Sequence, residues 1–399
     1  MRLLLYAWNA NNEQVLADNL IQSGFEVVWF RKECRHYTRD MELAMEMISF
    51  IHGQGAEAVV SFNYFPIISM VCHTCQVPYY AWVYDCPHFT LYAKQVNLPG
   101  SHIGIFDREM VGHLEEYGVH TAYHVPLSAD AEYFEKVIVS ASRNERERYR
   151  CDVSFVGSLY TGENNYYDIL FPGGRRGAGS GGDWDALIGK QCFSYRDACL
   201  KEAVASGQAD MQSLRKGMEE QGLMLGEDYF AKPEDILLAA VLEKKVTVEE
   251  RRQLLTKIAL EAGKLDFRLY TGSSTEGFKE LDTCNRGMVD YHRQMPLVFS
   301  ESRINLNITL RSIHSGIPLR VLDIMACGGF LLTNRQPELA EYFEEGAELA
   351  VFESMEECVD KMHYYLAHEE ERRKIAQAGR KKVQQAFSYQ QGLTALFGV

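Results

Sequence analysis

The stretch "INLNITLRSIHSGIPLRVLDIMACGGFLLTN" (304–334) decides the fold. Ile304, Leu306 and Ile308 alternate with Asn305 and Asn307, which predicts a strand with both asparagines on one face, toward the next loop. A polar loop follows, "RSIHSGIP" (311–318). A helix starts near Pro318, where the missing N–H costs nothing, and ends at "CGGF" (327–330), a glycine-permitted turn into a new apolar strand. Strand, loop, helix and strand in that order are the repeat unit of a parallel sheet. The chemistry of the loop fits a diphosphate. Gly316 lets backbone come close to a ligand, and Arg311, His314, Ser315 and Arg320 surround a helix N-terminus with unpaired N–H groups. Asp323, a turn further on, is placed to accept hydrogen bonds from ribose hydroxyls.

The same alternation extends through the chain. Strands are expected at 2–8, 26–30, 57–62, 79–85, 102–106 and 121–125, with helices at 13–25, 41–55 and 108–118. The polar run "SASRNERERYRC" (140–151) marks a boundary. Strands return at 152–160, 267–272, 303–309, 329–334 and 349–352, and helical patterning fills 184–263 and 355–387. The expected architecture is α/β: two Rossmann-like doubly wound domains facing a cleft, with a helical insertion in the second. The first domain spans 1–140. The second spans 141–385 with its insertion at about 184–263, and a tail, 386–399, packs back on the first.

Composition narrows the partners. A net charge of −14 over 399 residues argues against a surface built for nucleic acid or anionic lipid. No apolar run approaches the roughly 20 residues that span a bilayer. The scattered cysteines predict a reduced, cytoplasmic setting. In "CHTC" (72–75), a zinc site lacks a second ligand pair, so buried cysteines near a helix end are expected.

Further ligand contacts are expected where strands end. Gly157 and Ser158 follow one strand of the second domain, and Tyr270, Thr271 and Gly272 follow another. In the first domain Asp85 follows the strand "YYAWVYD", with His88 close by; both are candidate catalytic groups, Asp85 as general base. Asp107 reads as a helix N-cap, and His124 and Pro126 as cleft-lining or structural. The glycine-rich "FPGGRRGAGSGGDWD" (171–185) contains a literal G-x-G-x-x-G at Gly177, Gly179 and Gly182, and an Asp183/Asp185 pair. No second strand presents the acid a dinucleotide fingerprint requires, and G-K-[ST] is missing. A loop is expected, with Arg175 and Arg176 offering a lid as the minor alternative.

The region 260–395 resembles the "glycosyl transferases group 1" domain of spore-maturation-protein-B-like enzymes, on "SGIPLRVLDIMACGGFLLTN", "ELAEYFEEGAELAVFES" and "YYLAHEEERRKIAQAGRKKV". The amino-terminal "YYAWVYDCPH" and "HVPLSAD" resemble the domain usually paired with it. The resemblance implies a GT-B fold, a nucleotide-sugar donor held mainly by the second domain, an acceptor facing the first, and neither metal nor other cofactor. The expected function is sugar transfer from a nucleoside diphosphate to an acceptor hydroxyl. The donor (UDP-, GDP- or dTDP-sugar) and the acceptor (glycan, lipid-linked glycan, or protein such as flagellin or a spore-coat component) stay open. Related retaining enzymes often carry two glutamates eight positions apart; here Ser315 and Asp323 stand there, so stereochemistry stays open too. A non-catalytic nucleotide-sugar-binding or assembly protein and a nucleotide-sugar epimerase are the alternatives.

Overall fold

Two all-parallel sheets organise the computed structural model, which describes residues 1–161, 165–170, 184–194, 198–205, 211–222, 226–261, 264–276 and 278–398. The first sheet has six strands: β1 (Arg2–Ala7), β2 (Glu26–Arg31), β3 (Ala58–Phe62), β4 (Tyr79–Val83), β5 (Ser101–Ile105) and β6 (Ala122–His124). Their order is β2-β1-β3-β4-β5-β6. The second has β7 (Cys151–Val156), β8 (Phe267–Tyr270), β9 (Ser302–Asn307), β10 (Leu331–Asn334) and β11 (Ala350–Phe352), ordered β11-β10-β9-β7-β8. Continuous apolar runs such as Leu3–Leu5 and Val59–Val60 form these strands because helices cover both faces and leave no side for polar residues. In each sheet the winding direction reverses once, between β1 and β3 and between β7 and β9. Ligands bind at the carboxyl ends of strands beside such reversals.

The expected helix 355–387 is two helices, Met355–Ala367 and Glu369–Ala386, broken at His368, whose backbone (φ −112°, ψ 67°) is not helical. Cys72 and Cys75 lie in helix Pro66–Cys75, with Cys72 buried. Asn305 and Asn307 do share a face, but both are buried and bond within the sheet. Asn305 accepts from Ser154 Oγ at 2.9 Å, and Asn307 donates to Thr309 Oγ1 and Thr333 Oγ1 at 3.0 and 2.9 Å. The glycine-rich stretch 171–182, with Arg175, Arg176 and Asp183, lies outside the described residues. Asp185 accepts from Tyr167 Oη at 2.8 Å.

The insertion builds its own core from Trp184, Ile188, Leu200, Ile236, Leu237 and Val241. It also reaches the first domain: Lys94 N donates to Asp228 O and Phe230 N to Tyr92 O, both at 2.9 Å, and Arg39 pairs with Asp228. The closing helix, Tyr389–Phe397, lies on the first sheet, with Tyr389 edge-on to Trp82 and Phe397 against Tyr80 and Phe25. Among the described residues no helix is long and apolar enough to cross a membrane.

Candidate functional site

The reversal between β7 and β9 is spanned by one side chain. Arg251, from helix Glu243–Ala259, donates Nη1 to Ser158 O after β7 and Nη2 to Ile308 O after β9. Its guanidinium lies 5.0 Å from the Tyr160 ring centroid and 5.4 Å from that of Phe155. Its Nε has no hydrogen-bond partner among the described residues. Burial pulls its pKa down, and Arg320 lies near enough to push the same way. Lys244, on the same helix, sits over the rings of Tyr160 and Tyr166 at 5.5 and 5.7 Å, and burial lowers its pKa. Cations held over aromatic faces, with donor capacity left over, suit an anionic ligand.

Behind the wall they contact, at Ser158 and Tyr160, opens a cavity of about 460 Å³ that neither cation lines directly. Gly157, Ser158 and Tyr160 form one wall and Tyr270, Thr271 and Gly272 another. Ser273 Oγ fixes the floor: it lies 3.1 Å from Ser158 Oγ and accepts from Leu159 N at 2.9 Å. The volume falls within the range of small-molecule sites.

The loop 311–318 is arranged differently. His314 N and Ser315 N donate to Asp107 Oδ2 across the domain boundary, at 2.6 and 3.3 Å. Asp107 also caps helix Arg108–Glu116 through Met110 N. Ser315 Oγ lies 2.9 Å from Asp107 Oδ1 and 2.7 Å from Glu338 Oε1, and accepts from Glu109 N. Glu338 pairs with His124 at 2.9 Å. Burial opposes its charge, but His124, the Ser315 hydroxyl and Arg108 N hold its pKa below the ordinary value. A Cβ at Gly316 would stand 2.7 Å from Phe106 O, so space, not backbone twist, requires glycine. Arg311 pairs with buried Glu250, with Nε 3.0 Å from each oxygen. His314 Nε2 meets Glu243 at 2.9 Å; burial works against its charge, yet the carboxylate pushes its pKa up to about 9. These side chains and amides join the domains and the insertion. They do not line the 460 Å³ cavity; Arg311 and His314 line a separate one of about 240 Å³.

Arg320 lies over the Phe299 ring and 3.4 Å from Asp323 Oδ2. Asp323 is 1% exposed, and burial pushes its pKa up to about 6 against the pull of Arg320 and Tyr291. Tyr291 Oη donates to Asp323 Oδ1 at 2.8 Å and accepts from Asn12 Nδ2 at 3.3 Å. His292 Nε2 lies 2.6 Å from Asn11 O. The loop after β1 therefore meets the segment before β9, held in shape by Glu13, which accepts from Trp8 N and Ala10 N at 2.7 and 2.9 Å. In the first domain Asp85 is exposed at the end of β4, accepting from Asn63 Nδ2 at 2.6 Å. His88 Nε2 is engaged by Tyr64 backbone at 3.1 Å and Thr90 Oγ1 at 2.7 Å, and burial lowers its pKa. His88 thus shapes the loop that carries Asp85.

Sequence reasoning missed Arg251, Lys244, Tyr291 and Asn12. For Arg251 a signal existed. Positions 243, 246, 247, 250, 251, 254, 255 and 258 form one buried helical stripe, and Glu243, Glu250 and Arg251 interrupt it with charge. Among the described residues no three His, Cys, Asp or Glu side chains converge as a metal site.

Residues 250–398 match a family model described as "Glycosyl transferase-like". No curated relative matches the chain by sequence. Solved structures match over all of this chain. A glycosyltransferase from Rickettsia africae aligns over 97% of its own chain at 9% identity with a TM-score of 0.53. Sucrose-phosphate synthase from Thermosynechococcus elongatus aligns over 98% of its chain at 9% identity and 0.55. Anabaena HepE, solved in complex with UDP-glucose, aligns over 100% of its chain at 9% identity and 0.54. The fold is therefore GT-B, two Rossmann-like parallel-sheet domains, and its second domain carries a glycosyl transferase-like region.

Proposed function

We propose that the chain is a glycosyltransferase that moves a sugar from a nucleoside-diphosphate donor to an acceptor hydroxyl without a metal. The carrying observation is Arg251, spanning the β7/β9 reversal behind the 460 Å³ cavity, its Nε without a partner among the described residues. The match over 250–398 and the similarity in fold to a protein solved with UDP-glucose support the class and favour a UDP-sugar. The nucleoside occupies the cavity of Gly157, Ser158, Tyr270 and Gly272. Arg251, Lys244 and Arg320 neutralise the departing diphosphate, the role a metal fills elsewhere. Asp323 positions Arg320 and Tyr291 rather than meeting ribose. Arg311, His314, Ser315 and Gly316 hold the domains in register.

Asp85 takes the acceptor proton from the first-domain side, its carboxylate aimed by Asn63. The resemblance to spore-maturation-protein-B-like enzymes extends the proposal to hexosyl transfer in the cytoplasm onto a glycan, lipid-linked or protein acceptor. The test incubates the protein with UDP-, GDP- and dTDP-sugars and follows release of nucleoside diphosphate. Release from one donor is expected. Donor binding without release would favour a non-catalytic protein, and the absence of both would overturn the reading. Asp85→Asn is expected to cut turnover while sparing donor affinity. Product with retained anomeric configuration would remove Asp85 from the role of base.

A further inference from the structure

A second cavity, of about 430 Å³, lies between the first domain and the insertion and shares no lining residue with the first. Much of its wall is apolar: Phe89 and Tyr92 after β4, Met110 and Gly112 on helix Arg108–Glu116, Leu238 and Ala239 on the insertion. Leu237–Leu242 winds as a π-helix and runs directly into Glu243. Such widened turns are rare and recur at functional sites.

Glu243 lines this cavity and is fully buried. Its Oε1 meets His314 Nε2 at 2.9 Å, while its Oε2 has no hydrogen-bond partner among the described residues. A buried carboxylate oxygen left unpaired is costly, and the missing partner has to donate a hydrogen. Glu109, Glu116, Asp235 and Glu243 outnumber the cations Lys201 and His314 in the lining, which disfavours an anion. The volume fits a small molecule, not a polymer.

We propose that this cavity binds a small molecule with an apolar, ring-sized body and a hydrogen-bond-donating head, hydroxyl or ammonium, which docks on Glu243 Oε2. The site stands independently of the transferase reading.

The full-length protein is titrated with phenethyl alcohol, phenethylamine and hydrocinnamate by calorimetry and saturation-transfer NMR. The alcohol or the amine is expected to bind, with the carboxylate at least about tenfold weaker. The tighter of the first two identifies the head group. Glu243→Gln is expected to weaken binding about tenfold. Gly112→Phe is the second variant: Gly112 lines the cavity and a Cβ there meets nothing within 4 Å, so a larger side chain can start there and take up cavity space. It is expected to abolish binding while the melting temperature holds, and it decides the matter if Glu243→Gln fails to fold. No binding by alcohol or amine up to their solubility overturns the proposal. So does equal binding by the carboxylate, or binding that survives Gly112→Phe.

Discussion

Two neighbouring loops at the carboxyl edge of the second sheet make opposite use of their polar groups. The loop after β9 is dense in residues that bind phosphate: Arg311, His314, Ser315, Gly316. Its groups are taken up by Glu250, Glu243, Asp107 and the first-domain backbone. The loop after β7, Gly157–Tyr160, is chemically plain, yet it borrows from a distant helix a guanidinium with donor capacity to spare. The comparison sets the proposed site apart by unused hydrogen-bonding capacity beside a cavity. Polar residue types in a short stretch serve a domain boundary equally well.

The contrast can be broken experimentally. Arg251→Ala is expected to reduce nucleotide-sugar turnover on the order of a hundredfold, as loss of a charge-stabilising donor does. Steady-state kinetics with the accepted donor check it, and unchanged kinetics would erase the distinction between the loops. The His314–Glu243 pair bears on pH. With the folded pKa of His314 at about 9, above the ordinary 6.5, its contribution is fully present below pH 6.5 and is lost as pH rises through 9. Denaturant titrations are expected to lose up to about 3 kcal/mol over that window, and His314→Gln to flatten the slope.

Gly316→Val is expected to cost about 2 kcal/mol by forcing Phe106 away, read by chemical denaturation. Donor affinity, measured on the folded fraction, is expected to change little. A large loss of affinity with no loss of stability would return the 311–318 loop to the donor site. The smallest effect belongs to Tyr291→Phe, which removes the bond to Asp323 and the weak one from Asn12 for about 1.5 kcal/mol. It is also expected to raise the pH at which Asp323 ionises above about 6, measurable by carboxyl carbon NMR.

The sheets were legible because strands buried on both faces must be continuously apolar, as at "LLLY" (3–6) and "FLLT" (330–333). Helix 355–387 was misread because "AHEEER" (367–372) favours helix locally on both sides of the break. The cavity walls at 157–158 and 270–272 followed from where strands end. Arg251 did not, because burial is decided by tertiary packing and Arg252 beside it has the same side chain. The 311–318 loop is legible as a polar cluster but not in its use, for a physical reason. Backbone amides beside a helix start bind any carboxylate, and the sequence does not say whether the carboxylate is a ligand's or Asp107.

The closing helix and the 228–230 segment belong to the second half of the chain, yet both are built onto the first domain. The molecule is thus divided in sequence at 140–151 but stitched in space. Hinge opening about that linker would have to break the stitches on both flanks at once, which favours substrate entry into a site already shaped. A chain cut in the linker should stay whole. Halves expressed separately should find one another and assemble, while a chain ending near 385 would strip a wall from the domain furthest from it in sequence.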